Sequence, residues 1–338
     1  MTKIAKHVTL SPNDKIGLIS NLDTMLSAGI PLLEAVNSLL EDAKGDLKKV
    51  LETLREDLIE GKHIYASFSN FPGVFDAVTI SVFKASEEAG TLELALKAIK
   101  DNIRREMEFS DKIKAAMVYP LVIMVVFIGV LLMILIVVVP KISTVFGRLK
   151  VDLPLPTKIL IFVSNLIINN TFPVLAGLGL FIALIFILFK TQKSLILSLI
   201  IKLPLIRELV KEIDLVRFSR NLHLLLTSGL NITNALDLTK DVMIRKDMSK
   251  VIVECKEMMI TGKNLSEGLR KAKGLIPAIM IKLIEVGEKS GSLDKSMQDV
   301  SEFLDYKVSN TLKSLTVLLE PIMLVTVGIC VGGMMLAI

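Results

Sequence analysis

The sequence predicts an all-α membrane protein, with two homologous soluble helical domains and three transmembrane helices. Three stretches carry no charged side chain: residues 115–140, 159–189 and 321–338. About 20 apolar residues cross the ~30 Å hydrocarbon core of a bilayer, so each stretch is a candidate span. Outside these stretches, helix start and stop signals recur at an offset of 200 to 201 residues. A chain that is 52% hydrophobic yet 22% charged fits this alternation of spans and soluble domains.

Helix signals follow one another closely in the first soluble domain. Ser11 and Pro12 predict a helix start, because serine caps free amides and proline suits the first helical position. Gly29 predicts the end of this helix, since glycine readily takes the left-handed conformation that follows many helices. Further helices are predicted over 31–41 and 46–61, and from the break at 71–73 to residue 88.

A glycine followed by a hydroxyl residue precedes the last helix of this domain. Gly90 predicts a helix end, and Thr91 is expected to cap the next helix. From Leu92 onward apolar residues recur every three or four positions, which predicts a helix that continues into the first span. Tyr119 and Pro120 then fall at the membrane boundary.

The two soluble domains are related by duplication. The matched pairs are Gly29/Gly229, Ala35/Ala235, Gly61/Gly262, Glu87/Glu288, Gly90/Gly291, Leu92/Leu293 and Pro120/Pro321. Only 19 of the 338 residues are glycine, so three glycine matches in near-constant register are improbable by chance. The second copy is therefore also expected to end in a helix that enters the membrane, at Glu320 and Pro321. A duplicated soluble domain attached to a few spans favours a scaffold over an enzyme.

The uncharged stretches set the predicted domain boundaries. These are a first soluble domain (1–118), a first span (119–140), a short irregular outer loop (141–165), a second span (166–189), an interfacial segment (190–210), a second soluble domain (211–314) and a third span (315–338). Lys307 and Lys313 precede the third span and no basic residue follows it, which predicts a cytoplasmic N-terminus and an outer C-terminus. The first soluble domain is acidic and the second basic. This favours either different partners or attraction to anionic lipid.

No pattern in the chain predicts catalysis, a cofactor or a metal site. The Gly-Lys pairs lack the other residues of a phosphate-binding loop, and the three histidines match no metal-ligand spacing. His223 is expected to be a packed helical histidine. Tryptophan is absent and only three tyrosines occur, so direct nucleic-acid binding by base stacking is not expected.

Three carboxylates have more than one interpretation. Glu87 and Glu288 either hydrogen-bond the amides that start the next helix, pair with a neighbouring base, or mark contacts with a partner. Glu320 lies at the start of a membrane helix, where a charge is costly. It either pairs with a cationic group of a membrane partner or rests among lipid headgroups near the helix dipole.

Several short motifs, in order, resemble one family twice over. The first copy has Ser27-Ala-Gly-Ile-Pro-Leu32, then Glu87-x-x-Gly90-x-Leu92 and Tyr119-Pro120, and the second has Arg217-Phe218, Ser228-Gly229, Glu288-x-x-Gly291-x-Leu293 and Glu320-Pro321. This order is similar to that of the inner-membrane platform family of type II secretion and type IV pilus assembly (the GspF/PilC family). Asn231 and Arg207 depart from the usual pattern of that family.

The resemblance implies two cytoplasmic six-helix bundles, three transmembrane helices and no catalytic activity, in the bacterial inner membrane. The implied partners are a hexameric assembly ATPase, pilin or pseudopilin transmembrane helices, other inner-membrane assembly proteins, the lipid bilayer and further copies of the chain. The platform of a DNA-uptake pseudopilus is an alternative. Outside the family, a helical membrane receptor or a transporter subunit is the remaining alternative.

Overall fold

The computed structural model describes residues 8–149, 155–170, 173, 204–272 and 274–336. Every regular element within these ranges is helical, as predicted. The first part of the chain forms α1 (Pro12–Ser27), α2 (Leu32–Asp42), α3 (Gly45–Ile59), α4 (Ile64–Phe68), α5 (Ala77–Glu88), α6 (Leu92–Met133), a π-helical turn (Ile134–Val138), α7 (Val139–Leu149) and α8 (Leu155–Asn169). The second part forms α9 (Pro204–Thr227), α10 (Ile232–Lys240), α11 (Lys246–Ile260), α12 (Leu265–Lys271), α13 (Ala278–Ser290) and α14 (Leu293–Leu336).

The helices divide between two compact units. One unit comprises Met1–Asp111 and Val210–Val308 and is called the soluble unit, after the two predicted soluble domains that it contains; the other, called the apolar unit, comprises Lys112–Leu209 and Ser309–Ile338. Helices α9 to α14 follow the order of α1 to α6, and both copies contribute to the soluble unit. Two soluble domains were predicted, and the structure joins their helices in one compact unit. The boundaries predicted at 118 and 211 stay predictions.

In the core of the soluble unit, matching positions of the two copies carry different side chains. In the first copy Phe68 stacks on Phe75 with ring centroids 4.2 Å apart, and Phe83 meets Phe68 edge-on at 5.1 Å. The corresponding residues of the second copy are aliphatic and also buried: Leu269, Ile276 and Ile284. Burial of each such side chain contributes roughly 1.5–3 kcal/mol. Both copies therefore keep an apolar core although its shape differs.

Both long helices bury the face that their apolar spacing predicts. In α6, Leu96, Ile99 and Ile103 are at most 5% exposed. The matching residues of α14 are fully buried: Met297, Val300 and Leu304. Beyond this packed part, α6 continues unbroken to Met133 and α14 to Leu336. The first and third predicted spans thus lie on the same helices that complete the core of the soluble unit.

One helical stretch, Leu92–Val145, is by length and composition able to cross a membrane, and no other within the described residues meets that test. It contains the predicted first span, and large apolar side chains along it are exposed, such as Leu121 at 65%. The predicted third span lies on α14 as far as residue 336, with Leu324 at 67% and Ile329 at 69% exposed. The count of three spans stays a prediction.

The described residues between 141 and 165 are helical and not irregular, and the position of this segment outside the membrane stays a prediction. Helices α7 and α8 cover most of this segment, and the hydroxyl of Ser164 donates to the carbonyl of Leu135 at 2.6 Å. Pro156 lies in the first turn of α8, where a missing N–H costs no helical bond. The predicted second span and interfacial segment lie outside the described residues, apart from 166–170, 173 and the start of α9.

Candidate functional site

A carboxylate caps the fourth helix of each copy from a distant position in the chain. The Glu87 carboxylate accepts hydrogen bonds from the backbone amides of Ile64 at 3.0 Å and Tyr65 at 3.4 Å, the first residues of α4. The Glu288 carboxylate likewise accepts from the first two amides of α12. The first amides of a helix have no partner within it, and the helix dipole favours a negative charge there. Each carboxylate therefore caps a helix whose own N-cap side chain, His63 or Asn264, makes no capping bond.

These contacts involve a different helix from the expected one. One of the alternatives for Glu87 was a bond to the start of α6, whereas Glu87 bonds the start of α4, which packs against α5. The Nδ1 atom of His63 also lies 3.3 Å from Glu87 Oε1. Only 18% of the Glu87 side chain is exposed. Its role as a partner contact stays a prediction.

A left-handed glycine forms the corner before each long helix. Gly90 has φ +69° and Gly291 has φ +68°. The amide of Thr91 donates to the carbonyl of Ser86 at 2.8 Å, and the amide after Gly291 makes the matching bond at 3.0 Å. These bonds satisfy carbonyls that the last turn of a helix leaves free. A side chain at either glycine would strain this corner by roughly 1–2 kcal/mol.

The other predicted residues are spread along the helices. Gly29 and Gly229 end α1 and α9 with φ +80° and +84°. Leu92 and Leu293 begin the long helices, and Tyr119 is 42% exposed on α6. Pro120, Glu320 and Pro321 lie within the long helices. In each copy, predicted residues therefore lie at the turn before the long helix and at one matched position along that helix.

Phe218 and Arg217 lie on α9 beside a buried carboxylate that sequence reasoning missed. Phe218 is fully buried, and Asp214 is 1% exposed. The Asp214 carboxylate accepts from the amides of Ile244 and Arg245 at 2.8 Å each, just before α11. Burial raises the pKa of Asp214 above its usual range, while these two bonds and the charge of Arg217 oppose that change. The signal in the sequence is a single aspartate within the apolar run of residues 213–216.

Ion pairs join the first and last helices of each copy through different residues. In the first copy Lys100 bonds Asp23. In the second, Arg220 Nη2 donates to both carboxylate oxygens of Asp305 at 2.9 Å. Lys307 lies 3.0 Å from the buried carboxylate of Glu212.

Side-chain contacts also cross from one copy to the other. The Arg220 guanidinium lies over the ring of Phe109, with 5.3 Å between Cζ and the ring centroid. Arg105 lies 3.7 Å from Glu302. The last helix of the first copy therefore packs beside α9 and α14 within the soluble unit.

No group of three or more potential metal ligands occurs in the part of the chain that the structure describes. His223 Nδ1 lies 2.8 Å from the carbonyl oxygen of Asp294, as expected for a packed helical histidine. Cys255 is 1% exposed, and burial raises the pKa of its thiol to about 12. This thiol is therefore a packed apolar group.

The known proteins that are similar to this chain point to one family. The sequence profile described as "Type II secretion system (T2SS), protein F" matches residues 18–140 and 218–338, two segments that begin 200 residues apart. A type IV pilus assembly protein PilC of Thermus thermophilus is 31% identical over 314 residues, which are 92% of this chain and 77% of that protein.

Relatives from both kinds of system are similar to this chain. A type IV pilus assembly protein PilC of Pseudomonas aeruginosa is 27% identical over 336 residues, 97% of this chain and 88% of that protein. A type II secretion system protein F of Aeromonas hydrophila is 27% identical over 310 residues, 91% of this chain and 80% of that protein. Because these two identities are equal, they do not separate pilus assembly from secretion.

Proposed function

Since the chain belongs to the type II secretion system protein F family, we propose that it is the inner-membrane platform of a type IV pilus or type II secretion machine. In this role it couples a cytoplasmic assembly ATPase to the insertion of pilin or pseudopilin subunits into a fibre. The platform catalyses no reaction of its own. Glu87 and Glu288 accept hydrogen bonds from backbone amides, which supports a structural role for these two carboxylates.

The observation that carries this proposal is the continuity of the two long helices. α6 packs Leu96 and Ile99 into the soluble unit and runs on to Met133, and α14 repeats this arrangement to Leu336. A continuous helix transmits a displacement better than a flexible linker, because its backbone hydrogen bonds resist bending. Movement of the soluble unit therefore reaches the membrane through two matched helices.

The proposed membrane arrangement has three spans and two cytoplasmic six-helix bundles, with the N-terminus in the cytoplasm and the C-terminus outside. The exposed apolar side chains of α6 and of the C-terminal part of α14 support two of the spans. The six helices in each copy support the paired bundles. Cysteines placed at residues 2 and 338 test the orientation by labelling with a membrane-impermeant maleimide.

A matched pair of exposed isoleucines supports a contact with the ATPase. Ile59 and Ile260 end α3 and α11, and both are 66% exposed. A hexameric ATPase presents identical surfaces, so two equivalent helix ends suit two of its subunits. Ile59→Lys and Ile260→Lys are expected to weaken co-purification, whereas Ile279→Lys is the control. Ile279 is also 45% exposed, but its counterpart in the first copy, Val78, is buried.

The pilin is proposed to contact the membrane part of the platform near Glu320, whose carboxylate would guide the cationic N-terminus of a pilin helix. The position of Glu320 within α14, beside Pro321, supports a site at the start of the third span. Glu320→Gln is expected to reduce fibre assembly while the protein level stays unchanged. Normal assembly by this variant would remove Glu320 from the proposal.

Co-purification with the host assembly ATPase tests the proposed function as a whole. The complete chain, in detergent, is expected to bind the ATPase and change its rate of ATP turnover. Failure to bind, by protein whose helicity is intact by circular dichroism, would contradict the platform role.

A further inference from the structure

One edge of α13 is apolar and exposed. Ile279 is 45% exposed and Val286 is 62% exposed, and Leu283 between them is half-buried. These residues follow one another at intervals of four and three positions, so they lie on one side of the helix. Lys282 and Lys289 lie beside this edge, both exposed and seven residues apart. This edge of α13 is therefore a helix face without a partner in its own copy.

The matching edge of the first copy is covered. Val78 and Val82, the counterparts of Ile279 and Leu283, are buried. The helix that carries them, α5, packs against α10 of the second copy. The counterparts of these two helices are α13 and α2, and among the described residues α13 and α2 make no comparable contact. The chain thus shows one way in which such an edge is covered, and it leaves α13 without that cover.

Helix α2 has an exposed edge of the opposite charge. Leu33 is exposed, and Leu40, seven residues later on the same side of the helix, is half-buried. Glu34 and Glu41 lie next to these leucines, are also seven residues apart, and are followed by Asp42. These three carboxylates are exposed and make no ion pair within the described residues. An apolar edge beside unpaired negative charge is therefore available on α2.

The charges of the two edges are complementary. Beside the α13 edge, the Glu285 carboxylate lies 2.8 Å from Nη2 of Arg270 and 2.7 Å from Nζ of Lys289. Lys282 makes no ion pair within the part of the chain that the structure describes. Three cations thus share one carboxylate, which leaves this surface basic. The two exposed lysines of α13 and the two glutamates of α2 also have the same spacing, about two helical turns.

We infer that the exposed edge of α13 docks a second copy of this chain through its helix α2. In this contact the leucines of α2 cover Ile279 and Val286, while its glutamates lie beside the two lysines. Anionic lipid would suit the lysines but would leave the acidic edge of α2 unused, whereas a second copy uses both edges. Because each chain carries both edges, a two-fold dimer forms the contact twice.

Reversal of the charges on each edge tests the inference. The complete chain is studied in detergent by sedimentation velocity, which measures its self-association. Glu34→Lys with Glu41→Lys, and separately Lys282→Glu with Lys289→Glu, are each expected to weaken self-association about tenfold, because like charges then face each other. A chain with all four substitutions has both signs exchanged and is expected to regain association, whichever glutamate faces which lysine.

The controls separate this contact from other effects. Lys246→Glu with Lys250→Glu makes the same change in charge at two exposed lysines of α11 and should leave self-association unchanged. Val286→Lys should weaken self-association about tenfold and leave ATPase co-purification intact. Ile260→Lys, at a residue that is 66% exposed, should do the reverse. The inference does not depend on the ATPase contact, so failure of either proposal leaves the other untouched.

Weakening by both double substitutions, with recovery when they are combined, is the expected result. The substituted residues are exposed, so the core stays intact in these variants. A parent chain that stays monomeric, equal weakening by the α11 control, or no recovery in the combined variant would overturn the inference. Unchanged self-association of Val286→Lys together with loss of ATPase binding would assign the α13 edge to the ATPase and would overturn it as well.

Discussion

Replacement of Glu87 by glutamine tests the capping of α4 from a distant residue. Glutamine has nearly the same shape, but it has no charge and only one acceptor oxygen. It can therefore keep the 3.0 Å bond to Ile64 or the 3.4 Å bond to Tyr65, but not both. A hydrogen bond to a charged group contributes about 1.5–3 kcal/mol, and the charge also interacts with the helix dipole.

We expect Glu87→Gln to lower the free energy of unfolding of the soluble unit by about 1.5–3 kcal/mol. For a unit of this size that corresponds to a fall of roughly 3 to 12 °C in the melting temperature. Circular dichroism of the complete chain in detergent measures this change. Hydrogen exchange measured by mass spectrometry should show lost protection at the start of α4 and unchanged protection in α1.

Glu88→Gln is the matched control, because Glu88 is an exposed neighbour on the same helix. It should leave both measurements unchanged. Equal effects of the two substitutions would refute the capping role. Glu288→Gln should repeat the effect in α12, and the two losses should add, since distant sites act independently.

Three further predictions follow from the same structure. Gly90→Ala should lower the unfolding free energy by about 1–2 kcal/mol in a urea titration. No atom lies close to the added methyl group, so only the left-handed backbone conformation opposes it. An equal loss from Gly17→Ala, within α1, would contradict this. A hydrogen bond from Arg245 lowers the pKa of Asp247 below its usual 3.8, so its contribution to stability is present at neutral pH and is lost as pH falls through the lowered pKa. Asp247→Asn should therefore flatten the stability profile on the acid side, and an unchanged profile would contradict the assignment. In a variant whose other cysteine is replaced by alanine, the Cys255 thiol should react with a maleimide only after unfolding, because its pKa is raised to about 12. Rapid labelling of the native chain would show that this thiol is not buried.

The turns before the long helices, and the buried faces of those helices, were predictable from residues close by in the sequence. Gly90 and Gly291 take the left-handed conformation that their position after a helix suggests, and Leu96, Ile99 and Ile103 are buried as their spacing predicts. Each of these features depends on neighbours within one or two helical turns. Such neighbours are visible in the sequence.

Features that depend on distant residues were not predictable in the same way. Glu87 bonds an amide 23 residues earlier, and its partner depends on how α4 packs against α5. Asp214 caps a segment 30 residues later, whereas the matching residue of the first copy, Asp14, accepts from the hydroxyl of Ser11. Ser164, in the segment predicted to be a loop, bonds Leu135 in the π-helical turn. A single sequence shows which side chains can make such bonds but not which backbone groups reach them.

The central claim is that the continuous helix α6 couples the soluble unit to the membrane, and a flexible insertion in that helix tests it most directly. Four glycines inserted between Ala115 and Ala116 interrupt the helix beyond the soluble unit. The same insertion between Ala43 and Lys44, in the loop after α2, is the control. The account predicts that the first insertion abolishes fibre assembly or secretion while ATPase binding persists, and that the control retains both. Normal assembly with the interrupted helix would contradict the account.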